Sequence, residues 1–236
     1  MNFIGGEVIY IDKPLGWTSF DAVKRLRGAI TRRIGVKKFK VGHAGTLDPL
    51  ATGVMIICTG KATKRVEELQ AGVKEYVATI ALGATTPSFD LETPIDATYP
   101  INHICRELVE DTLKRFVGRI EQVPPAYSAC KVDGKRAYSI ARKGKEVELK
   151  PKVLVIDELE LLDFKPEEIV VRVVCSKGTY IRALARDIGH ELRSGAHLSA
   201  LRRTRVGNIT VAECMTVDEA ADMIAKTEIE MPDDII

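Results

Sequence analysis

Gly42-His43-Ala44-Gly45-Thr46-Leu47-Asp48-Pro49-Leu50-Ala51-Thr52-Gly53 is the stretch on which the reading of this chain turns. Upstream, from Ala22 to Leu47, stand eight Lys and Arg residues and no acid, so Asp48 is the first carboxylate after a cationic run. A lone carboxylate in a loop punctuated by Gly and Pro, beside cations, suits an enzyme that holds a polyanion and attacks it with an oxygen nucleophile. Asp-Pro also initiates ordinary turns, and taken by itself the pair reads as one. The remainder of the chain has to decide between the two.

A chain of 236 residues has room for one large core or two small ones. No apolar run approaches the roughly 18 residues of a membrane span. The start, Met1 to Asp12, lacks the basic and apolar regions of a signal peptide. A cytoplasmic protein without a membrane partner is therefore expected. Cys58, Cys105, Cys130, Cys175 and Cys214 lie far apart with no Cys-x-x-Cys, which fits free thiols in a reducing compartment. His43, His103, His190 and His197 make no metal-ligand spacing, so no metal is expected.

The net charge of +2 conceals a segregation. Glu213 to Ile236 holds eight acids and one cation, Lys226, for a net of −7, which leaves +9 on the rest. The cations concentrate in three sections, Lys24 to Lys40, Lys131 to Lys145 and Arg193 to Arg205. Scattered cations form a solvated face, whereas three dense clusters favour a phosphate-binding surface.

Hydrophobic spacing predicts the elements. Glu7 to Asp12 reads as a strand stopped by Lys13-Pro14-Leu15-Gly16. Thr18 with Asp21 makes a capping box for a helix that carries Phe20, Val23, Leu26 and Ile30 on one face and ends near Gly35. Val54 to Cys58 is a buried strand, Lys64 to Gln70 a short helix, and Lys74 to Gly83 an alternating strand. Thr85 to Tyr99 reads as loop, followed by a helix capped by Asn102 with Ile104, Leu108, Leu113 and Phe116, closed by Gly118. Val123 to Gly144 is rich in Pro, Gly and Lys, with a helical piece from Ala137 to Arg142. Leu154 to Leu162 and Ile169 to Cys175 form strands turned at Pro166. A helix after Gly178 points Ile181, Leu184, Ala185, Ile188 and Leu192 inward. A short strand near Asn208 to Val211 and a helix from Val217 to Ala225 complete the chain. Hairpin-like strand pairs outnumber βαβ units, so the expected class is α+β in a single domain, with a largely antiparallel or mixed sheet.

Several nucleotide and metal signatures are missing. Gly60-Lys61-Ala62-Thr63 mimics the end of a phosphate loop, but six residues separate Gly53 from Gly60 where four are required. Side chains alone must carry the chemistry. Arg182 falls in the first turn of its helix, where the macrodipole disfavours a cation, so it either meets an anion or faces solvent. Tyr76, in mid-strand, reads as a half-buried sheet aromatic, and His43 as an exposed loop residue that can stack on a base.

Taken together, these residues resemble the tRNA pseudouridine synthase B family. The resemblance rests on Asp12-Lys13-Pro14-Leu15-Gly16-Trp17-Thr18-Ser19, on Gly42 to Gly53, and on Lys74-Glu75-Tyr76. It continues through Val123-Pro124-Pro125-Ala126-Tyr127-Ser128-Ala129, Cys175-Ser176-Lys177-Gly178-Thr179-Tyr180-Ile181-Arg182, and Leu201-Arg202-Arg203-Thr204. Six stretches in this order span nearly the whole chain. The resemblance implies the pseudouridine synthase fold, a mixed and mainly antiparallel central sheet flanked by helices. It also implies isomerisation of uridine 55 in the tRNA T-loop without a cofactor.

The implied nucleophile is Asp48, paired to Arg182, with Tyr76 stacking on the uracil. His43 would fill the space of the flipped base and Leu201 would wall the pocket, with Lys13 and Tyr180 also at the substrate. Lys37, Lys38, Lys40, Lys131, Arg202 and Arg203 are the candidates for the RNA backbone. Residues 1–236 are expected to form one catalytic domain with an acidic tail, without the PUA-type domain that often follows in the family. The partner would be the tRNA T-arm, met by a monomer.

Overall fold

The computed structural model describes residues 1–128, 130–132, 134–141 and 149–229. Strand β1 (Val8–Lys13) leads to α1 (Ser19–Ile34), then β2 (Val41–Ala44) and β3 (Ala51–Thr59). A 3-10 turn, Gly60–Arg65, runs into α2 (Val66–Ala71), followed by β4 (Lys74–Leu82), β5 (Ala84–Thr85) and β6 (Ala97–Thr98). Next come α3 (Arg106–Arg115), β7 (Gly118–Gln122), β8 (Lys131–Val132), β9 (Lys135–Arg136) and α4 (Ala137–Ala141). The long hairpin β10 (Lys152–Lys165) and β11 (Glu168–Cys175) precedes α5 (Ile181–Glu191), β12 (Ala196–Val206) and β13 (Ile209–Thr210). Finally β14 (Met215–Thr216) enters α6 (Val217–Lys226). Arg142, Lys143, Lys145 and the tail from Glu230 onward lie outside the described residues.

The chain forms two compact units, Met1–Lys74 with Arg202–Ile236, and Glu75–Leu201. In the first unit β3 is flanked by antiparallel β1, with Val8 opposite Cys58 and Lys13 opposite Gly53, and by antiparallel β2, with Val41 opposite Thr59. Strand β14 adds in parallel to β1. One face packs Ile9, Ile11, Met55 and Ile57 against Val23, Leu26 and Ile30 of α1 and Ala220 and Ile224 of α6. The other face buries Val54, Ile56 and Cys58 with Ala44 and Val206. Burial on both faces explains why Val54 to Cys58 is an unbroken apolar run rather than an alternating one.

The capping box starting α1 is present as predicted, with Thr18 accepting from the Asp21 amide, and Gly35 closes the helix in the left-handed region at φ 72°. Phe20 does not join the inner face. At about 100° per residue it sits roughly 120° around the helix from Leu26. It is exposed instead, with the Arg27 guanidinium 5.8 Å from its ring centroid.

In the second unit β10 pairs antiparallel with β11 and with β7, where Lys152 lies opposite Gln122. Strand β4 alternates cleanly, burying Tyr76, Ala78, Ile80 and Leu82 on one face. Helix α5 buries Ile181, Leu184, Ala185 and Ile188, as the spacing predicted. Helix α3 begins later than expected. Its N-cap is Cys105, without a side-chain bond, because Ile101 to Ile104 closes a separate turn first, with the Ile104 amide 2.9 Å from the Ile101 carbonyl. Thr85 to Tyr99 is not all loop, since β5 and β6 pair within it. Strands β2, β7 and β12 carry no readable alternation and were not expected. The class is α+β, with the parallel pair β1–β14 beside antiparallel pairs β1–β3, β2–β3, β10–β11 and β7–β10.

Candidate active site

In the first unit the carboxylate-bearing loop is fastened on both sides of Asp48. The Ser19 hydroxyl donates to the Leu47 carbonyl and accepts from the Leu47 amide, each at 2.9 Å. On the other side Pro49 offers its carbonyl to the Gly16 amide at 2.9 Å and to Lys13 Nζ at 3.4 Å. The Ala51 amide closes the turn onto the Asp48 carbonyl at 3.1 Å. Lys13, the last residue of β1, is wholly buried, and its ammonium also donates to Trp17 at 2.6 Å and Pro14 at 2.8 Å. The main chain around Asp48 is therefore fixed before any substrate arrives.

Arg203 finishes the support. It is buried, with Nε on the Val54 carbonyl at 2.7 Å and a terminal nitrogen on the Gly45 carbonyl at 3.1 Å. Gly53 is held at φ 106°, and a Cβ there would fall 2.1 Å from the Arg203 carbonyl oxygen. Only glycine permits that approach. These contacts correct one sequence expectation. Arg203 is turned inward and committed to backbone carbonyls, so it does not offer its charge to an RNA phosphate. Arg202 stays 42% exposed while it forks onto the Asp12 carboxylate at 2.6 and 3.2 Å, joining β1 to the Arg202–Val206 end of β12.

His43 also departs from its expected exposed loop. It lies in β2, half-buried, and burial, with the nearby Arg203 charge, lowers its pKa. The ring is thus neutral near pH 7 and available for stacking rather than for a phosphate. Lys13 is the most perturbed amine. Burial pulls its pKa down to about 8, against the opposing attraction of Asp48 and with help from Arg203. Lys37, Lys38 and Lys40 are exposed. The side chain of Lys131 lies outside the described residues.

In the second unit Arg182 is buried in the first turn of α5, and the solvent-facing alternative is ruled out. Its terminal nitrogens donate to the Ser88 carbonyl at 3.0 Å and the Tyr127 carbonyl at 2.9 Å, and its Nε lies 3.6 Å from Asp90 Oδ2. Asp90 is itself buried and accepts from the Glu92 amide at 3.0 Å. It supplies the anion that the macrodipole argument called for. Sequence reading passed over Asp90 because the partners are 92 positions apart, inside a segment taken for featureless loop. Tyr180 caps α5, with Gln122 bonding both its amide and its carbonyl at 2.9 and 3.2 Å. Its hydroxyl sits 3.3 Å from Cys130 Sγ, and burial raises its pKa. Tyr76 is buried on β4, and Leu201 is half-buried on β12.

Among the described residues no cluster of three or more His, Cys, Asp or Glu gathers to hold a metal ion. Among the same residues no helix is long and apolar enough to cross a membrane.

The family model for the N-terminal domain of TruB family pseudouridylate synthases matches residues 32–181, and that for the tRNA pseudouridylate synthase B C-terminal domain matches 182–235. The chain belongs to the TruB family. It is an enzyme that isomerises uridine to pseudouridine in tRNA. A tRNA pseudouridine synthase B of Phocaeicola vulgatus is 67% identical over 230 residues, covering 98% of both chains. One of Flavobacterium johnsoniae is 51% identical, covering 92% of this chain and 95% of its own. Among solved structures, a Cbf5-Nop10-Gar1 complex superposes with a TM-score of 0.70 at 30% identity over 94% of this chain, which spans 55% of that longer one. An H/ACA ribonucleoprotein bound to a substrate RNA containing 2′-deoxyuridine gives 0.66 at 29% identity over 93%, spanning 54% of that chain.

The buried lysine of this TruB family member gives opposite pH signatures in stability and turnover. With a folded pKa of about 8 against an ordinary 10.5, the unfolded chain binds more protons between those values, so stability rises with pH there. Relative to Lys13→Met, the parent should gain about 2–3 kcal/mol between pH 7 and pH 10 in urea melts. Turnover should fall over the same rise, with a midpoint near pH 8, as the cation facing Asp48 is lost. A flat stability difference would show that Lys13 carries no such burden.

Proposed function

We propose that this enzyme acts in the cytoplasm as a monomer on uridine 55 of the tRNA T-loop, with the Asp48 carboxylate as nucleophile. The observation that carries the reading is the doubly fastened loop, with Leu47 held by Ser19 and Pro49 held by Lys13. A turn that merely reversed the chain would have no use for a buried lysine at its flank.

The target base is stacked in the T-loop and must be flipped out, at a cost of a few kcal/mol. His43, neutral and half-buried, fills the space it leaves. Asp48 then promotes cleavage of the N1–C1′ bond. The uracil turns within the pocket, C5 bonds to C1′, the C5 proton is released, and N1 regains a proton. Atoms balance, since the product is an isomer. Addition at C6, displacement at C1′ and a glycal route through C2′ all start from the same carboxylate.

Arg182 serves that carboxylate as its cation, which keeps it ionised and oriented. Tyr76 stacks on the uracil. Leu201 walls the pocket and, with Tyr180, excludes water that would hydrolyse a detached base.

Exposed Lys37, Lys38 and Lys40 supply phosphate contacts along the T-arm. Replacing all three by Gln should weaken tRNA binding and flatten its salt dependence by about two units of log K per log salt, because fewer counterions are released. Turnover at saturating tRNA should stay within about twofold. A T-arm stem-loop should serve nearly as well as whole tRNA. An inert stem-loop beside an active whole tRNA would place the decisive contacts outside the T-arm. Abasic product in place of pseudouridine would replace the synthase reading with that of a hydrolase.

A further inference from the structure

Two successive turns of α5 meet two successive residues of the segment before it in space. Arg182 and Arg186 stand four positions apart on the helix, hence on one face. Arg182 reaches Asp90, and the Arg186 guanidinium lies 4.8 Å from the ring centroid of Phe89, within cation–π range. Phe89 is one of two non-glycine residues with positive φ among the described residues, at 62°. A residue with a Cβ pays for that conformation through contact with its own carbonyl, whereas glycine adopts it freely. A bulky aromatic kept at such a position calls for a use of its ring.

The surroundings lock the strained turn. The Phe89 amide donates to the Thr86 carbonyl at 3.1 Å, and its carbonyl accepts from the Leu198 amide at 2.9 Å. The hydroxyls of Thr86 and Ser88 both donate to the Asp90 carbonyl, at 2.6 and 3.2 Å. Arg186 is a firm base for the stack, held by Asp187 at 2.7 Å and by the Val123 carbonyl at 3.2 Å. The ring is only half-buried, so core packing does not account for it.

We infer that Phe89 and Arg186 form a positioning pair whose stack holds the 88–90 turn so that the Ser88 carbonyl and the Asp90 carboxylate aim the Arg182 guanidinium. The pair touches no reacting atom, and the inference rests on the proposed role of Arg182. Phe89→Gly separates positioning from folding, because it removes the ring and the backbone strain together. Its melting temperature should not fall below the parent's, and KM for tRNA should stay within about twofold. Its kcat should drop about tenfold, as expected when a charged group loses its aim without leaving the site. Phe89→Tyr keeps the stack and should recover most of that loss.

Arg186→Met should match Phe89→Gly in kcat, and the double variant should be no slower than either single, since the two act as one unit. Arg186→Lys should recover part. All are read by tritium release from [5-³H]uridine-labelled tRNA beside the parent. Parental kcat in Phe89→Gly, or a double variant slowed by the product of the single effects, overturns the pair. A parent that releases no tritium refutes the proposed function itself, a result distinct from an active parent with an equally active Phe89→Gly.

Discussion

Asp48→Asn is expected to bind tRNA as tightly as the parent and to release no tritium from uracil C5 above background, a loss of roughly 10⁴-fold or more. The amide nearly preserves the shape of the carboxylate while removing its charge and its nucleophilicity. The loop should survive the change, because Ser19, Lys13 and Gly16 fasten its main chain on both sides of Asp48. One cost in stability is expected. Without the Asp48 charge, Lys13 loses the attraction that opposes its burial, so its pKa should fall below about 8. Substantial turnover by this variant would remove Asp48 from the centre of the chemistry.

Arg182→Ala should lose about 10²–10³ in kcat, the range seen when one preorganised charged donor is deleted. It should also cost more stability than Asp48→Asn. Asp90 is 4% exposed, and stripping the cation from a buried pair typically costs about 3–5 kcal/mol. The Ser88 and Tyr127 carbonyls would lose their donors as well. Arg182→Lys should recover only part of both losses, since an ammonium cannot reach two carbonyls and a carboxylate with the geometry of a planar fork. Removing Asp90 together with Arg182 should restore part of the stability but not turnover, because no charge is then left buried alone. Near-parental turnover in Arg182→Ala would make the arginine purely structural.

What the sequence disclosed was local. The Thr18–Asp21 capping box, the buried run Val54 to Cys58, the alternation of β4 and the inward face of α5 each depend on spacing within one element, and each appears in the structure. What it hid depends on partners far along the chain. Strand β12 reads as a basic cluster because Arg202, Arg203 and Arg205 break its alternation. Yet Arg203 is buried there, its charge met by the carbonyls of Val54 and Gly45, a pairing that no periodicity encodes. Strand β2 is four residues long with a glycine, too short to declare itself, and it carried His43 from an expected loop into a sheet. Asp90 gave no signal because a carboxylate in a Thr- and Pro-rich segment looks like turn chemistry until α5 is laid beside it. Lys13 and Ser19 stood in a stretch matched to the family, but their shared task, gripping Leu47 and Pro49 on either side of Asp48, emerges only from the fold.

The central claim is that a single carboxylate, Asp48, isomerises a single base, uridine 55. Unmodified tRNA incubated to completion with the parent, and in parallel with Asp48→Asn, then mapped for pseudouridine at nucleotide resolution, tests it most directly. The account predicts stoichiometric pseudouridine at position 55 with the parent, none elsewhere, and none at all with Asp48→Asn. Pseudouridine at another position, or its formation at 55 by the Asp48→Asn variant at the parent's rate, would contradict it.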